Sequence, residues 1–186
     1  MPIRELRWGD FESLMEAYYG LYDERAEEGT IGISLFDERP SPDSEVAWFS
    51  NLYRAVLEGT TLMFVAEVEG RAVGSCTIAP AGAGGVPSEN SHVGVLGILV
   101  DRRYRGRGLG TALFARSIEA ARGKFDRVRL GVFATNVAAR RLYERFGFRG
   151  TGTFPAEIKR AGRYIDLEWM TLDLTTPAPD AAHPKG

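Results

Sequence analysis

Val95-Leu96-Gly97-Ile98-Leu99-Val100, continued by Asp101-Arg102-Arg103-Tyr104-Arg105-Gly106-Arg107-Gly108-Leu109-Gly110, is an apolar run that breaks into alternating arginines and glycines. Gly110, Leu113, Phe114, Ser117, Ile118 and Ala121 then recur at helical spacing, so the stretch reads as strand, glycine loop and helix start. At such a junction the first backbone N–H groups of the helix point outward without acceptors. Glycine lets the backbone approach phosphate oxygens, the helix dipole favours negative charge, and Arg102, Arg103, Arg105 and Arg107 add countercharge. The ligand this loop suits is a pyrophosphate or polyphosphate.

Spacing separates three phosphate-binding patterns. A nucleotide-triphosphate loop needs a Gly-Lys-Ser/Thr ending, which is absent. A dinucleotide fingerprint needs Gly-x-Gly-x-x-Gly, whereas these glycines alternate, and no ribose-binding acid stands clearly about 20 residues on. Arg-x-x-Gly-x-Gly remains, filled by Arg105, Gly108 and Gly110. A second block follows. Val128, Leu130 and Val132 alternate with Arg127, Arg129 and Gly131 as in a strand, and Thr135-Asn136 opens a helical stretch from Val137 to Phe146, closed by Gly147-Phe148. Asn136, Ala139 or Arg140, and Tyr143 share one face of that helix. The two motifs, in this order, resemble the acyl-CoA loop and the later helix of the GNAT superfamily of N-acetyltransferases.

The resemblance implies an α/β (α+β) fold: a mixed, mostly antiparallel sheet of about seven strands flanked by about four helices and splayed between strands 4 and 5. It implies acetyl-CoA as cosubstrate, held by Ile98, Leu99 and Val100, by Arg105, Gly106, Arg107, Gly108, Leu109, Gly110 and Thr111, and by Asn136 and Arg140. In the family, backbone N–H groups of the strand corresponding to Ile98–Val100 stabilise the oxyanion. Tyr143 matches the phenol that protonates the departing thiolate. The amine must lose a proton before it attacks, and many relatives place a glutamate for this where this chain has Leu96. Glu89, His92, Asp166 and Glu168 are the substitutes within view. The contrasting reading is a CoA-binding sensor or interaction module that kept the fold and lost catalysis, favoured by Leu96 and opposed by Tyr143. Asn136 also reads as an ordinary helix N-cap, and Tyr143 as a packing residue.

The rest of the chain fits around these motifs. Ile3–Arg7 reads as a first strand, with Asp10 as N-cap of a helix to about Tyr22. A second helix is expected from about Ser44 to Glu58, and Leu62–Val68 and Ala72–Ile78 form a hairpin through Glu69-Gly70-Arg71. Ala79–Ser91, rich in Gly, Ala and Pro, reads as a mobile loop, and Arg149–Phe154 and Arg163–Leu174 supply the last strands. A length of 186 residues suits one domain, expected over residues 1–174 with a disordered tail at 175–186.

The lone Cys76 reads as a small buried hydrophobe, and His92 and His183 are too few for a metal site, so no metal is expected. With no secretion signal and no apolar run of about 18 residues, a soluble cytoplasmic protein is expected, with no membrane partner. Formal net charge is −2 but uneven: Met1–Thr60 carries 13 acids against 5 bases, and Asp101–Gly150 carries 4 against 13. The basic half would draw an anionic cofactor, and Glu24, Glu27, Glu28, Asp37 and Glu38 would draw a cationic amine. Nucleic acid is not expected as a partner, because the arginines lack an aromatic stacking platform. Partners are then an amine acceptor, small molecule or protein, and a second copy of the chain as a candidate dimer. Acceptor choice is expected from the N-terminal helices, the 79–91 loop and Thr153–Gly162, with Phe154, Pro155 and Glu157 forming an apolar wall with one acidic point.

Overall fold

The computed structural model describes residues 2–28, 32–82 and 88–175. The disordered tail expected beyond Thr175, His183 and the centre of the 79–91 loop lie outside them. Strand β1 (Ile3–Glu5), helices α1 (Phe11–Glu28) and α2 (Pro42–Leu57), and strands β2 (Leu62–Val68), β3 (Arg71–Pro80) and β4 (Val93–Val100) form the first half. Helix α3 (Leu109–Ala121), strand β5 (Arg127–Phe133), helix α4 (Val137–Arg145) and strands β6 (Arg149–Arg160) and β7 (Arg163–Asp173) follow. The strands make one seven-stranded sheet ordered β1-β2-β3-β4-β5-β7-β6. β4 and β5 pair in parallel and the other neighbours antiparallel, as the sequence implied.

Strand alternation sends side chains to two cores. Phe64, Cys76, Leu96, Val128, Leu130 and Met170 point to the face covered by α3 and α4, where Leu113 and Phe114 are fully buried. Met63, Val65 and Ala72 point to the other face and meet Leu14, Met15 and Phe49 of α1 and α2. The β2–β3 turn uses Glu69 and Gly70 at φ +50° and +76°, the two positive-φ positions of a type I′ hairpin turn.

Four expectations need correction. Asp10 does not cap α1: its carboxylate accepts from the Arg7 N–H at 2.8 Å and pairs with Arg4 at 2.8 Å, which closes a 3-10 turn over Trp8–Asp10. Burial works to raise this carboxyl's pKa, but the Arg4 and Arg7 bonds hold it below the usual range. Helix α1 continues past Tyr22 to Glu28, carried by ion pairs described below. Helix α2 starts at Pro42, with Ser41 as N-cap accepting from Ser44 N–H at 3.3 Å. Thr153–Gly162 is not a connection, because β6 runs through it to Arg160 over a bulge at Phe154–Ile158. Ala156, at φ +56°, sits in that bulge, and its N–H donates to Asp166 Oδ1 at 2.8 Å.

Candidate active site

The parallel β4–β5 ladder holds only from Val93↔Arg127 to Val95↔Arg129. Beyond it β4 keeps its partner β3 as far as Val100, β5 keeps β7 as far as Phe133, and the two strands part. Asp101 N–H donates to Val73 O on β3. Because N–H groups alternate between strand edges, those of Ile98 and Val100 face the gap, while that of Leu99 faces β3. Leu99 therefore lines the cleft without presenting its N–H to the gap.

A cleft of about 1330 Å³ opens at this gap. Of the residues expected to hold the cofactor or act on it, Ile98, Leu99, Val100, Arg105, Gly106, Gly108, Leu109, Gly110, Thr111, Asn136 and Tyr143 line it, and Arg107 and Arg140 do not. A smaller hollow of about 690 Å³ on the outer side of α1 contains neither the glycine loop nor Tyr143.

The glycine loop leaves a run of backbone donors exposed. Asp101 opens a 3-10 turn over Arg102–Tyr104 by accepting from Arg103 N–H at 2.9 Å. Burial pushes the Asp101 carboxyl up, but the Arg103 side chain and N–H hold it below its ordinary range. Gly106 and Gly108 then take φ +74° and +79°, with Gly108 as N-cap of α3. A Cβ on either would meet nothing within 4 Å, so the glycines serve the backbone path and leave an open face. Among the described residues, the backbone N–H groups from Gly106 to Thr111 have no acceptor, and the α3 ladder begins with Ala112 N–H to Gly108 O. Six consecutive free donors at the positive end of a 13-residue helix fit a pyrophosphate.

The arginines around the loop have partners within the chain. Arg105 forms a two-pronged bond to Glu24 of α1, at 2.5 and 2.9 Å, and its Nε donates to Val100 O. Arg102 pairs with Glu27 at 2.6 Å, and Arg103 with Glu16 at 2.9 Å. Arg107 lies over the Tyr104 ring and donates to Arg103 O. The acidic and basic halves of the chain thus meet each other, and Glu24 and Glu27 are spent on that contact rather than left to attract a cationic amine. Asp37 offers its backbone O to Arg25, and the Glu28 side chain lies outside the described residues.

Asn136 caps α4, accepting from Ala139 N–H at 3.2 Å through Oδ1. Its amide nitrogen lies so close to Gly32 that a Cβ there would overlap it, and Gly32 and Ile33 border the cleft beside it. Tyr143 is 7% exposed and stacks on Phe114 with centroids 5.1 Å apart. Burial, helped by nearby Cys76, pushes its phenol up to about 12. Its hydroxyl makes no hydrogen bond among the described residues. Cys76 is fully buried, its thiol also pushed up to about 12 by burial, as expected of an inert core residue.

None of the four expected substitutes for the strand carboxylate, Glu89, His92, Asp166 and Glu168, lines the cleft. Leu96 is buried in the α3 face. Glu89 and His92 stand at the far end of β4, where His92 Nδ1 meets Glu89 O at 3.1 Å. Asp166 is occupied by the β6 bulge. Arg140 Nε lies 3.0 Å from Glu168 Oε2 in an ion pair whose angle does not close a hydrogen bond. The expected acceptor wall is also displaced: Phe154 is 51% exposed on β6, and Arg160, Ala161, Arg163, Tyr164 and Ile165 line the cleft instead. Sequence reading missed Glu45, which is 5% exposed on α2 without a side-chain partner among the described residues; burial raises its pKa. Only its place in the first turn of an amphipathic helix hinted at this. Among the described residues no cluster of metal-ligating side chains occurs, and no helix is long and apolar enough to cross a membrane.

Comparison with known proteins agrees with this geometry. Residues 6–148 match the model of the acetyltransferase (GNAT) family, and the chain belongs to that family. An L-amino acid N-acetyltransferase of Escherichia coli K12 is 38% identical over 82 residues, which is 43% of this chain and 51% of that one. The chain spans about half or less of the length of the curated relatives it matches. Among solved structures, a ribosomal-protein-alanine N-acetyltransferase of Brucella melitensis superposes with a TM-score of 0.77 at 28% identity, covering 94% of this chain and 100% of that one. The yncA structure of Salmonella typhimurium, solved with its cofactor acetyl-CoA, gives 0.78 at 27% identity over 98% and 99%.

Proposed function

We propose that this chain transfers the acetyl group of acetyl-CoA to a primary amine by direct attack, without a covalent acyl-enzyme. The observation that carries the reading is the ladder that ends at Val95↔Arg129, because it leaves strand-edge donors facing a cleft that also holds the glycine loop and a buried phenol. Bound acetyl-CoA would supply the activated thioester. The N–H groups from Gly106 to Thr111 would hold its pyrophosphate, and Asn136 would border its pantetheine arm. Ile98 and Val100 N–H would stabilise charge developing on the carbonyl oxygen. Tyr143, its phenol pushed up to about 12 chiefly by burial, would give a proton to the departing sulfur. Arg105 positions the loop through Glu24. The buried Cys76 offers no nucleophile.

Leu96 in place of an acid favours the second reading, a CoA-binding module without turnover. An amine that arrives partly deprotonated, such as an α-amine near pKa 8, needs no strong base, which keeps transfer the better-supported function. The test is consumption of acetyl-CoA against a broad panel of primary amines, with mass spectrometry of the products. An acetylated product from at least one amine is expected. CoA binding without turnover across the whole panel would leave the binding module standing.

A further inference from the structure

The wall of the cleft across the sheet from the glycine loop is the tip of the β6–β7 hairpin, and it is cationic. Ala161 and Gly162, at φ +47° and +75°, form the tight turn and set Arg160 directly opposite Arg163 as the last cross-strand pair. Like charges in that relation are unfavourable, and Lys159 adds a third cation beside the Tyr164 ring. Arg160 donates to Ile33 O at 2.7 Å and lies over the Phe133 ring. Burial, and then the nearby Arg25, pull its pKa down. Arg25 itself donates to the carbonyls of Phe36 and Asp37 at 2.9 Å. Arg163 lines the cleft with no ion pair and no hydrogen bond among the described residues. The acids that line the same cleft, Glu24 and Glu27, already have arginine partners.

We propose that Arg163, presented by this turn, recognises a carboxylate on the amine acceptor, so that the substrate class is amino acids and similar amines with an anionic group close to the reacting nitrogen. This rests on the reading of the cleft as an acyl-transfer site. Strand β7 pairs with β5 only as far as Leu167↔Phe133, and Arg163 lies past the end of that ladder, at the hairpin tip. Its guanidinium borders the same cleft as Ile98 and Val100, whose N–H groups face the gap. It matches a carboxylate with two parallel donors, while the apolar Ile165 and Leu21 leave room for a side chain.

The experiment is calorimetric titration of L-methionine, and separately of 3-(methylthio)propylamine, into the CoA-loaded full-length protein, with turnover measured alongside. L-Methionine is expected to bind at least about tenfold more tightly, the scale of a charge-assisted hydrogen bond. Arg163→Gln should bring the two within about threefold while CoA affinity holds, and Arg163→Lys should restore part of the preference. Equal affinities in the unmodified protein would overturn the proposal. So would an Arg163→Gln loss of CoA affinity as large as the loss for methionine, since the guanidinium would then be a phosphate ligand. A carboxylate preference in binding without turnover of either compound supports the recognition site and sinks the acyl-transfer reading, so the two fail separately.

Discussion

Arg105→Gln tests whether the first residue of the glycine motif is a phosphate ligand or a clamp. In the structure both prongs of its guanidinium go to Glu24, a side chain with 6% exposure, from a position 81 residues away in sequence. Removing one partner of a fully buried ion pair costs about 3–5 kcal/mol. Arg105 is itself 42% exposed, so water reaches one side of the bond, and roughly 2 kcal/mol is the appropriate expectation. For a chain of this size that lowers Tm by about 4–8 °C. Scanning calorimetry should register this drop for Arg105→Gln and a similar one for Glu24→Ala. The double variant should lose less than the sum of the two, since each single change removes the same contact. Acetyl-CoA affinity should fall only modestly, because the N–H groups from Gly106 to Thr111 remain. A Tm within 1 °C of the parent, together with loss of CoA binding, would refute the clamp and return Arg105 to the role of countercharge.

Other substitutions probe the remaining parts of the site. Gly108→Asp puts a carboxylate on the open face of the loop at φ +79°, with about 1–2 kcal/mol of left-handed strain; calorimetry should find a folded protein that no longer binds acetyl-CoA. Tyr143→Phe keeps the stacking on Phe114 and removes the proton, so kcat should fall about 10²–10⁴-fold with CoA affinity held, and a rate within twofold would demote Tyr143 to packing. In the parent the phenol, at about 12, should produce no falling limb in the pH–rate profile between pH 7 and 10. Glu45 has its folded pKa raised by burial, so the carboxyl favours folding at low pH and opposes it once pH rises above the unfolded value near 4.3. Glu45→Gln should therefore raise Tm at pH 7, with the difference disappearing toward pH 4; an unchanged or lowered Tm at pH 7 would mean that Glu45 has a partner in solution.

What could be read from the sequence was local. The apolar run into Gly106-Arg107-Gly108 and the Asn136-to-Gly147 helix carry their own periodicity and caps, and the structure keeps both. The Glu69-Gly70 turn was legible because two positive-φ positions between β-rich runs leave few alternatives. What escaped depends on distant partners. Arg105 reads as countercharge until α1 brings Glu24 to it, and Asp10 reads as a helix cap until Arg4 claims it. Strand β6 was cut short because Pro155 and the bulge at Ala156 break the alternation that marks a strand. Phe154, Pro155 and Glu157 were read as bordering the cleft for the same reason, whereas Arg160, Ala161, Arg163, Tyr164 and Ile165 line it.

The short β4–β5 ladder also joins the two halves of the sheet through only three backbone pairs. Gly123, at φ +78° with open space around a Cβ, lies between α3 and β5, where the chain passes from one half of the sheet to the other. Severed there, the first fragment would expose Phe114, whose ring in the intact protein meets Tyr143, Phe146 and Phe148 at 5.1, 4.8 and 5.5 Å. The second would expose those three rings. Each piece would carry the cover for the other, and the three β4–β5 pairs would set the register on rejoining. The glycine loop belongs to one fragment and Asn136 and Tyr143 to the other, so on the proposed reading acetyl-CoA binding would return only on reassembly, and the ligand would report whether the halves have met.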